Sequence, residues 1–199
     1  MGMDTCNRPN WSLEDGRVSR ASLVIVVVED GRHKMFVYRY LRHHRDLRRD
    51  EIRLLTSPPG IGSAERWVLE RFAVEVGTYR SRHPETRLIA VVDADVGSVQ
   101  HRFQQFDEAL TATGKPGVDV RTERIARLVP KRNIETWVLC LNGEIVDEDT
   151  DYKRDGDWTE KIRLAAKPLF EWMRRKDDLP NHCIPSLRTG VAELKRLEF

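Results

Sequence analysis

The chain has 199 residues, of which 33% are charged, and a formal net charge of +2. That length suggests one domain with an appendage or two small units and is ample for a buried core without staples. The near-balance of charge neither favours nor excludes a nucleic-acid partner, but it conceals two blocks of opposite sign. Arg39, Arg42, His43, His44, Arg45, Arg48, Arg49 and Arg53 make one stretch basic, and Glu144, Asp147, Glu148, Asp149, Asp151, Asp155 and Asp157 make another acidic.

Cys6, Cys140 and Cys183 are scattered, without a C-x-x-C pair, so neither a zinc site nor a disulfide framework is expected, and a reducing cytoplasm fits. No apolar run approaches the length of a membrane span and no signal peptide is evident, so a cytoplasmic location and no membrane association are the expectation.

Residues 1–20 are polar and aperiodic and read as a loose arm, with Trp11 the one residue suited to tack it onto the body. Ser22–Val28 is a dense β-branched run without alternation, the pattern of a central strand in a mostly parallel sheet. It runs into Glu29-Asp30-Gly31, and a helix is predicted from about Arg32 to His44. Ile52–Thr56 reads as a short strand. It is followed by the Pro- and Gly-rich loop 57–63 and a helix capped by Ser63 that runs to about Arg82. Gly60, Gly62 and Ser63 ahead of that helix suit either a phosphate held on backbone N–H groups or an ordinary strand-to-helix turn. The lysine of a P-loop and the third glycine of a dinucleotide fold are both missing.

The third strand, Leu88–Val92, runs straight into Asp93-Ala-Asp95 and a Gly-Ser turn. In a strand, residues i and i+2 share a side, so Asp93 and Asp95 are expected to project together from the carboxyl end, where an open α/β sheet places its ligand crevice. Two carboxylates so placed either share a hard cation such as Mg²⁺ or stand solvated and cap the next helix. That helix is predicted from Ser98 to about Thr113. Arg124–Val129 is the fourth strand, stopped by Pro130, and Asn133 caps a helix over Ile134–Leu141. After the acidic loop, Trp158 to about Lys176 is helical, with Pro168 expected to kink or split it, and Ile184–Leu187 begins a last amphipathic helix.

The alternating order is that of a three-layer α/β sandwich with a largely parallel sheet at 21–142, followed by an acidic loop and helical appendage at 143–199. In such a sheet Glu29, Asp93, Asp95 and Glu135 open on one edge. Lys131 and Arg132 stand just before Glu135, and cations beside carboxylates suit a phosphodiester, though a solvated basic turn explains them as well. His33, His43, His44, His83, His101 and His182 show no metal-ligand spacing. Trp67, Trp137, Trp158 and Trp172 read as core.

Val26-Val-Val-Glu-Asp-Gly31 followed by Val91-Val-Asp-Ala-Asp-Val-Gly97 resembles the Toprim domain, the catalytic core of topoisomerases, DnaG-type primases and OLD-family nucleases. Arg132-Asn-Ile-Glu-Thr-Trp137 is similar to a short helix of small Toprim-like proteins of bacterial defence loci. The likeness spans about residues 21–142 and departs from the usual Glu-Gly at Glu29-Asp30-Gly31. It implies that Asp93 and Asp95 are ligands of one or two Mg²⁺ or Mn²⁺ ions, and that Glu29 is a ligand or general acid/base. From the residues themselves, Glu135 and Lys131 are candidates to assist catalysis, and Gly60, Gly62, Ser63 and Arg132 are candidates to take substrate phosphate. No tyrosine beside the motifs clearly suits a topoisomerase, no winged-helix or gate domain is evident, and the template-handling parts of a primase are not found. The expectation is therefore a metal-dependent nuclease acting on DNA or RNA in anti-phage defence, working with a separate ATPase protein and with homo-oligomerisation left open. Two alternatives stand beside it: a non-catalytic Toprim-like docking or sensor subunit, and a receiver-like or nucleotide-binding α/β domain that binds Mg²⁺ without cleaving strands.

Overall fold

The structure, a computed structural model, describes residues 23–44, 47–81, 85–154 and 156–199. The expected N-terminal arm and Trp11 lie outside the described residues. Four strands, β1 (Leu23–Val28), β2 (Ile52–Thr56), β3 (Thr86–Val91) and β4 (Ile125–Leu128), form one all-parallel sheet in the order β2-β1-β3-β4. Among the described residues, the α-helices α1 (Gly31–Leu41), α2 (Ala64–Arg80), α3 (Val99–Ala112), α4 (Ile134–Leu141), α5 (Trp158–Arg174) and α6 (Pro185–Lys195) flank it. The expected α/β sandwich with a mostly parallel sheet and a helical C-terminal part is the fold of the chain.

The non-alternating apolar run of β1 is explained by burial on both faces. Val24, Val26 and Val28 pack with Phe36 and Tyr40 of α1, Trp137 of α4, Ile162 and Leu169 of α5 and Leu187 of α6. Ile25 and Val27 face the other way, onto Val68, Phe72 and Val76 of α2 and Phe106 and Leu110 of α3. The residues after 143 thus share a core with the sheet. At the β4 edge, Arg127 N–H donates to Glu193 Oε2 of α6 at 2.8 Å.

Pro168 lies within α5, which continues through it as one helix rather than splitting. An interior proline costs about 3 kcal/mol. The same helix buries Ile162, Leu169 and Trp172, each worth about 1.5–3 kcal/mol. Leu164, whose carbonyl the proline leaves without its usual donor, is 49% exposed, so water reaches that turn.

The strand order fixes where a ligand crevice lies. From β1 the chain turns outward to β2, whereas from β3 it turns to β4 on the other side. The helices that follow β1 and β3, α1 and α3, accordingly pack on opposite faces. The carboxyl ends of these two neighbouring strands therefore part at a topological switch point, the place where open α/β sheets bind ligands.

Candidate metal centre

The centre is built from two turns. At the end of β1, Asp30 is extended (φ −142°, ψ −175°) and caps α1, its Oδ1 accepting from Arg32 N–H at 2.8 Å and His33 N–H at 3.0 Å. That cap places His33 at the third helical position with its ring folded back over the strand end. His33 is only 1% exposed. Its Nδ1 stands 3.0 Å from Asp30 Oδ1 and its Nε2 2.9 Å from Asp93 Oδ1.

Beyond β3 the chain stays extended for three more residues. Val92 N–H donates to Leu128 O and Ala94 N–H to Pro130 O. Asp93 N–H must therefore point the other way, towards β1, just where β1 has left the sheet. The Glu29 carboxylate takes up that donor, Oε2 accepting from Asp93 N–H at 2.9 Å. A side chain thus replaces the missing backbone acceptor, and Glu29, His33 and Asp93 are locked to one another.

The electrostatics follow from burial. Desolvation, reinforced by the charges of Asp93 and Asp95, raises the Glu29 carboxyl from 4.5 to about 7, against the opposing pull of His33 and the Asp93 N–H. Burial also penalises a charged His33. Asp93 beside it and hydrogen bonds to Asp30 and Asp93 outweigh that penalty and hold the imidazole well above its usual range. Asp30 feels some desolvation, but its hydrogen bonds to His33 and Arg32 keep it well below the ordinary carboxylate range.

One ligand atom each from Glu29, His33 and Asp93 lie within 4.8 Å of one another, a group that could hold a metal ion. An ion with bonds of about 2.1 Å accommodates donors roughly 3 to 4 Å apart, so small side-chain shifts close this set around it. The Asp30 contact is the feature that fits a metal best. A carboxylate taking the Nδ1 proton leaves Nε2 as the ligand atom, the usual support of a metal-binding histidine. The geometry is that of two carboxylates, one imidazole and a tautomer-fixing aspartate. Comparison with known protein families, with curated proteins and with solved structures returned no match.

The remaining sequence candidates take different places. Asp95 does not continue the strand, which ends at Val91, so the expected i, i+2 pairing of Asp93 and Asp95 does not arise from strand geometry. It sits in a left-handed turn (φ 52°) and acts on Glu29 through its charge. Glu135 is buried in the first turn of α4 and pairs with Arg32. Lys131 Nζ lies 2.6 Å from Asp149 Oδ1, and Arg132 Nη2 lies 3.9 Å from Asp151 Oδ2. Gly60 (φ 79°) and Gly62 (φ 85°) adopt left-handed backbone in the loop after β2, and Ser63 Oγ is engaged in capping α2 by accepting from Arg66 N–H at 3.2 Å. Trp137, Trp158 and Trp172 are core residues as expected, and Trp67 is partly buried.

The histidines show no metal-ligand spacing in the sequence, yet the fold brings His33 beside Glu29 and Asp93 in a group that could hold a metal ion. His33 escapes a search for spacing because its partners are carboxylates on two other segments, not a second histidine at a fixed interval. The available signal is Asp30-x-x-His33 straddling a helix start, which brings residue N3 over the cap. Arg32 and Lys153 are further residues of the centre that sequence reasoning misses. Lys153 Nζ reaches to 3.9 Å from Asp93 Oδ2, and its carbonyl accepts from Arg32 Nη1 at 3.4 Å. Away from this centre, a shallow cavity of about 530 Å³ lies between the C-terminal ends of α1 and α5, lined by His43, Lys167, Phe170, Glu171, Arg174 and Arg175. Among the described residues no helix is long and apolar enough to cross a membrane.

Proposed function

We propose that this chain is a divalent-metal-dependent phosphodiesterase acting on DNA or RNA. What carries the reading is Glu29, His33 and Asp93 held together at the switch point of a parallel sheet, with Asp30 fixing the imidazole. A bound ion would supply Lewis acidity to a phosphoryl oxygen and lower the pKa of an attacking water. Asp93 Oδ1 and His33 Nε2 are the natural donors. Glu29 Oε2 is committed to the Asp93 N–H, so Oε1 remains to bind the ion or to carry a proton near pH 7.

An all-oxygen site would favour Mg²⁺. The imidazole nitrogen shifts the balance towards Mn²⁺, which accepts both nitrogen and carboxylate ligands. The cation-lined cavity beside Phe170 and His43, whose rings stack with centroids 5.8 Å apart, supports a nucleic-acid substrate, since stacking faces among cations suit single strands. The Toprim resemblance extends the proposal to an effector of bacterial anti-phage defence that works with an ATPase partner.

The test is incubation of the purified chain with plasmid, single-stranded oligonucleotides and tRNA in Mn²⁺, Mg²⁺ or EDTA. Cleavage is expected with the metals, absent in EDTA, and at least about 100-fold slower in Asp93→Asn. Cleavage unchanged by that substitution would refute the mechanism.

A second reading, a non-catalytic docking or sensor subunit, is favoured by one observation. The cations of the site are already satisfied internally, Lys131 by Asp149 and Lys153 by Asp93. It predicts that a reconstituted complex retains its function in Glu29→Ala and Asp93→Ala.

A further inference from the structure

The acidic segment does not hang free. Residues 147–153 form a turn with its own internal bonds, Thr150 N–H to Asp147 O at 3.2 Å and Lys153 N–H to Asp151 Oδ1 at 2.9 Å. Glu148 Oε2 anchors it to α6 by accepting from Ser186 N–H at 3.1 Å and Ser186 Oγ–H at 2.9 Å. Trp158 Nε1–H donates to Lys153 O at 3.2 Å and Tyr152 packs on the core, while the charged side chains of Asp149, Asp151 and Lys153 reach the candidate site. Asp149 meets Lys131, Asp151 meets Arg132 and accepts from Asn133 Nδ2 at 2.9 Å, and Lys153 reaches Asp93.

The signs of these contacts are the telling feature. The turn sets carboxylates against the two cations expected to meet phosphate, and an ammonium against a carboxylate expected to meet metal. Each strap charge thus has the sign of the ligand that its partner would otherwise bind. The contacts are also weak enough to exchange, because Asp149, Asp151 and Lys153 are 69%, 47% and 44% exposed on their side chains.

We propose that residues 147–153 are an intrachain strap that competes with both ligands of the site, Asp149 and Asp151 with nucleic-acid phosphates and Lys153 with the divalent cation. This rests on the metal-and-phosphate reading above and adds its regulation. A divalent ion at Asp93 repels the Lys153 ammonium, and a polyanion at Lys131 and Arg132 displaces the two aspartates. Metal and substrate therefore loosen the same segment and favour each other's binding, as any two ligands that share a competitor must. The Glu148 anchor keeps the released strap close.

The experiment uses the full chain in two separate measurements. Mn²⁺ binding is followed by electron paramagnetic resonance without nucleic acid, comparing wild type, Lys153→Met and Lys153→Arg. Lys153→Met is expected to bind Mn²⁺ about threefold more tightly or better, and Lys153→Arg to stay near wild type. Binding of a fluorescein-labelled single-stranded oligonucleotide is followed by anisotropy in EDTA, where no cleavage occurs. Asp149→Asn/Asp151→Asn is expected to bind at least about threefold more tightly than Glu108→Gln/Asp177→Asn, a variant of equal charge altered at exposed sites elsewhere.

Both shifts are required. If Lys153→Met binds Mn²⁺ as Lys153→Arg does, or if the strap variant gains no more than its charge-matched control (absence of binding by both included), the strap is not a competitor. Neither measurement reads cleavage. Both shifts without hydrolysis would remove the nuclease reading and keep the strap, and hydrolysis without the shifts would do the reverse.

Discussion

His33 Nε2 lies 2.9 Å from Asp93 Oδ1 while its Nδ1 lies 3.0 Å from Asp30 Oδ1, so one buried imidazole links the ends of β1 and β3. Without a metal, the carboxylates of Asp30 and Asp93 favour its charged form. With one, it is a neutral ligand whose remaining proton goes to Asp30. Removing the ring in His33→Ala is therefore expected to weaken Mn²⁺ binding strongly. Asp30→Asn, which keeps the ring but loses the charged acceptor, should weaken it by about 10- to 100-fold. Titration calorimetry checks both, and equal affinity in wild type and His33→Ala would show that His33 is not a ligand.

The same geometry sets a pH dependence. Both Glu29 and His33 have folded-state pKa values above their unfolded ones, Glu29 at about 7 against 4.5 and His33 well above 6.5. A raised pKa contributes stability below the unfolded value and loses it as pH rises through the folded value. In EDTA the melting temperature should therefore fall from about pH 5 to above pH 7. Metal must displace those protons, so Mn²⁺ affinity should rise over the same interval and the Mn²⁺-loaded protein should show a flatter profile. Melts between pH 5 and 8 with and without Mn²⁺ test this. Glu29→Gln should remove the part of the EDTA slope that falls between pH 4.5 and 7.

Arg32 is a positioning residue on the rim of this centre. Its guanidinium pairs with Oε1 of Glu135, a residue 1% exposed whose Oε2 has no hydrogen-bond partner among the described residues. Breaking a buried pair from one side leaves a buried charge uncompensated, at a cost of about 3–5 kcal/mol. Partial exposure of Arg32 lowers the expectation for Arg32→Met to about 2 kcal/mol or more. Arg32→Met/Glu135→Leu should recover much of that loss. Urea denaturation of the two single variants and the double variant measures the coupling.

The fold is legible in the sequence because its signals are local. Ile52–Thr56 falls where strand propensity and the following Pro-Gly loop put it, and Ile134–Leu141 begins after Asn133 as expected, although the Asn133 side chain makes no capping hydrogen bond and instead donates to Asp151. Glu29 and Asp93 are legible as strand-end carboxylates, since a run buried on both faces admits an acid only where it leaves the sheet. The other half of the centre is not. His33 becomes a site residue through contacts to Asp30 and to Asp93, sixty positions away. Asp95 departs from the expected alternation because the chain enters a left-handed turn after Ala94. Lys131 and Arg132 look like open cations in the sequence because nothing in composition says that an acidic loop 18 and 19 residues on will fold back over them.

The support of α4, which carries Glu135, is open to a stability test. Gly190 of α6 sits against the Trp137 indole, where a Cβ would come to within about 3.0 Å or less of three ring atoms. The ring cannot retreat easily. It is fully buried, and its Nε1–H donates to Ser186 Oγ at 2.8 Å. In a free helix Gly→Ala gains about 1 kcal/mol. Here overpacking should reverse the sign and make Gly190→Ala less stable by about 1–3 kcal/mol. Trp137→Phe removes the ring atoms that clash but leaves a cavity and loses the indole hydrogen bond to Ser186 Oγ, which keeps its bond to Glu148, so it is destabilising alone. In the double variant the methyl has room, and the two losses should sum to clearly more than the loss observed. Urea midpoints of the four proteins give the coupling directly, and additive losses would mean that helix α6 can shift away from Trp137 at little cost.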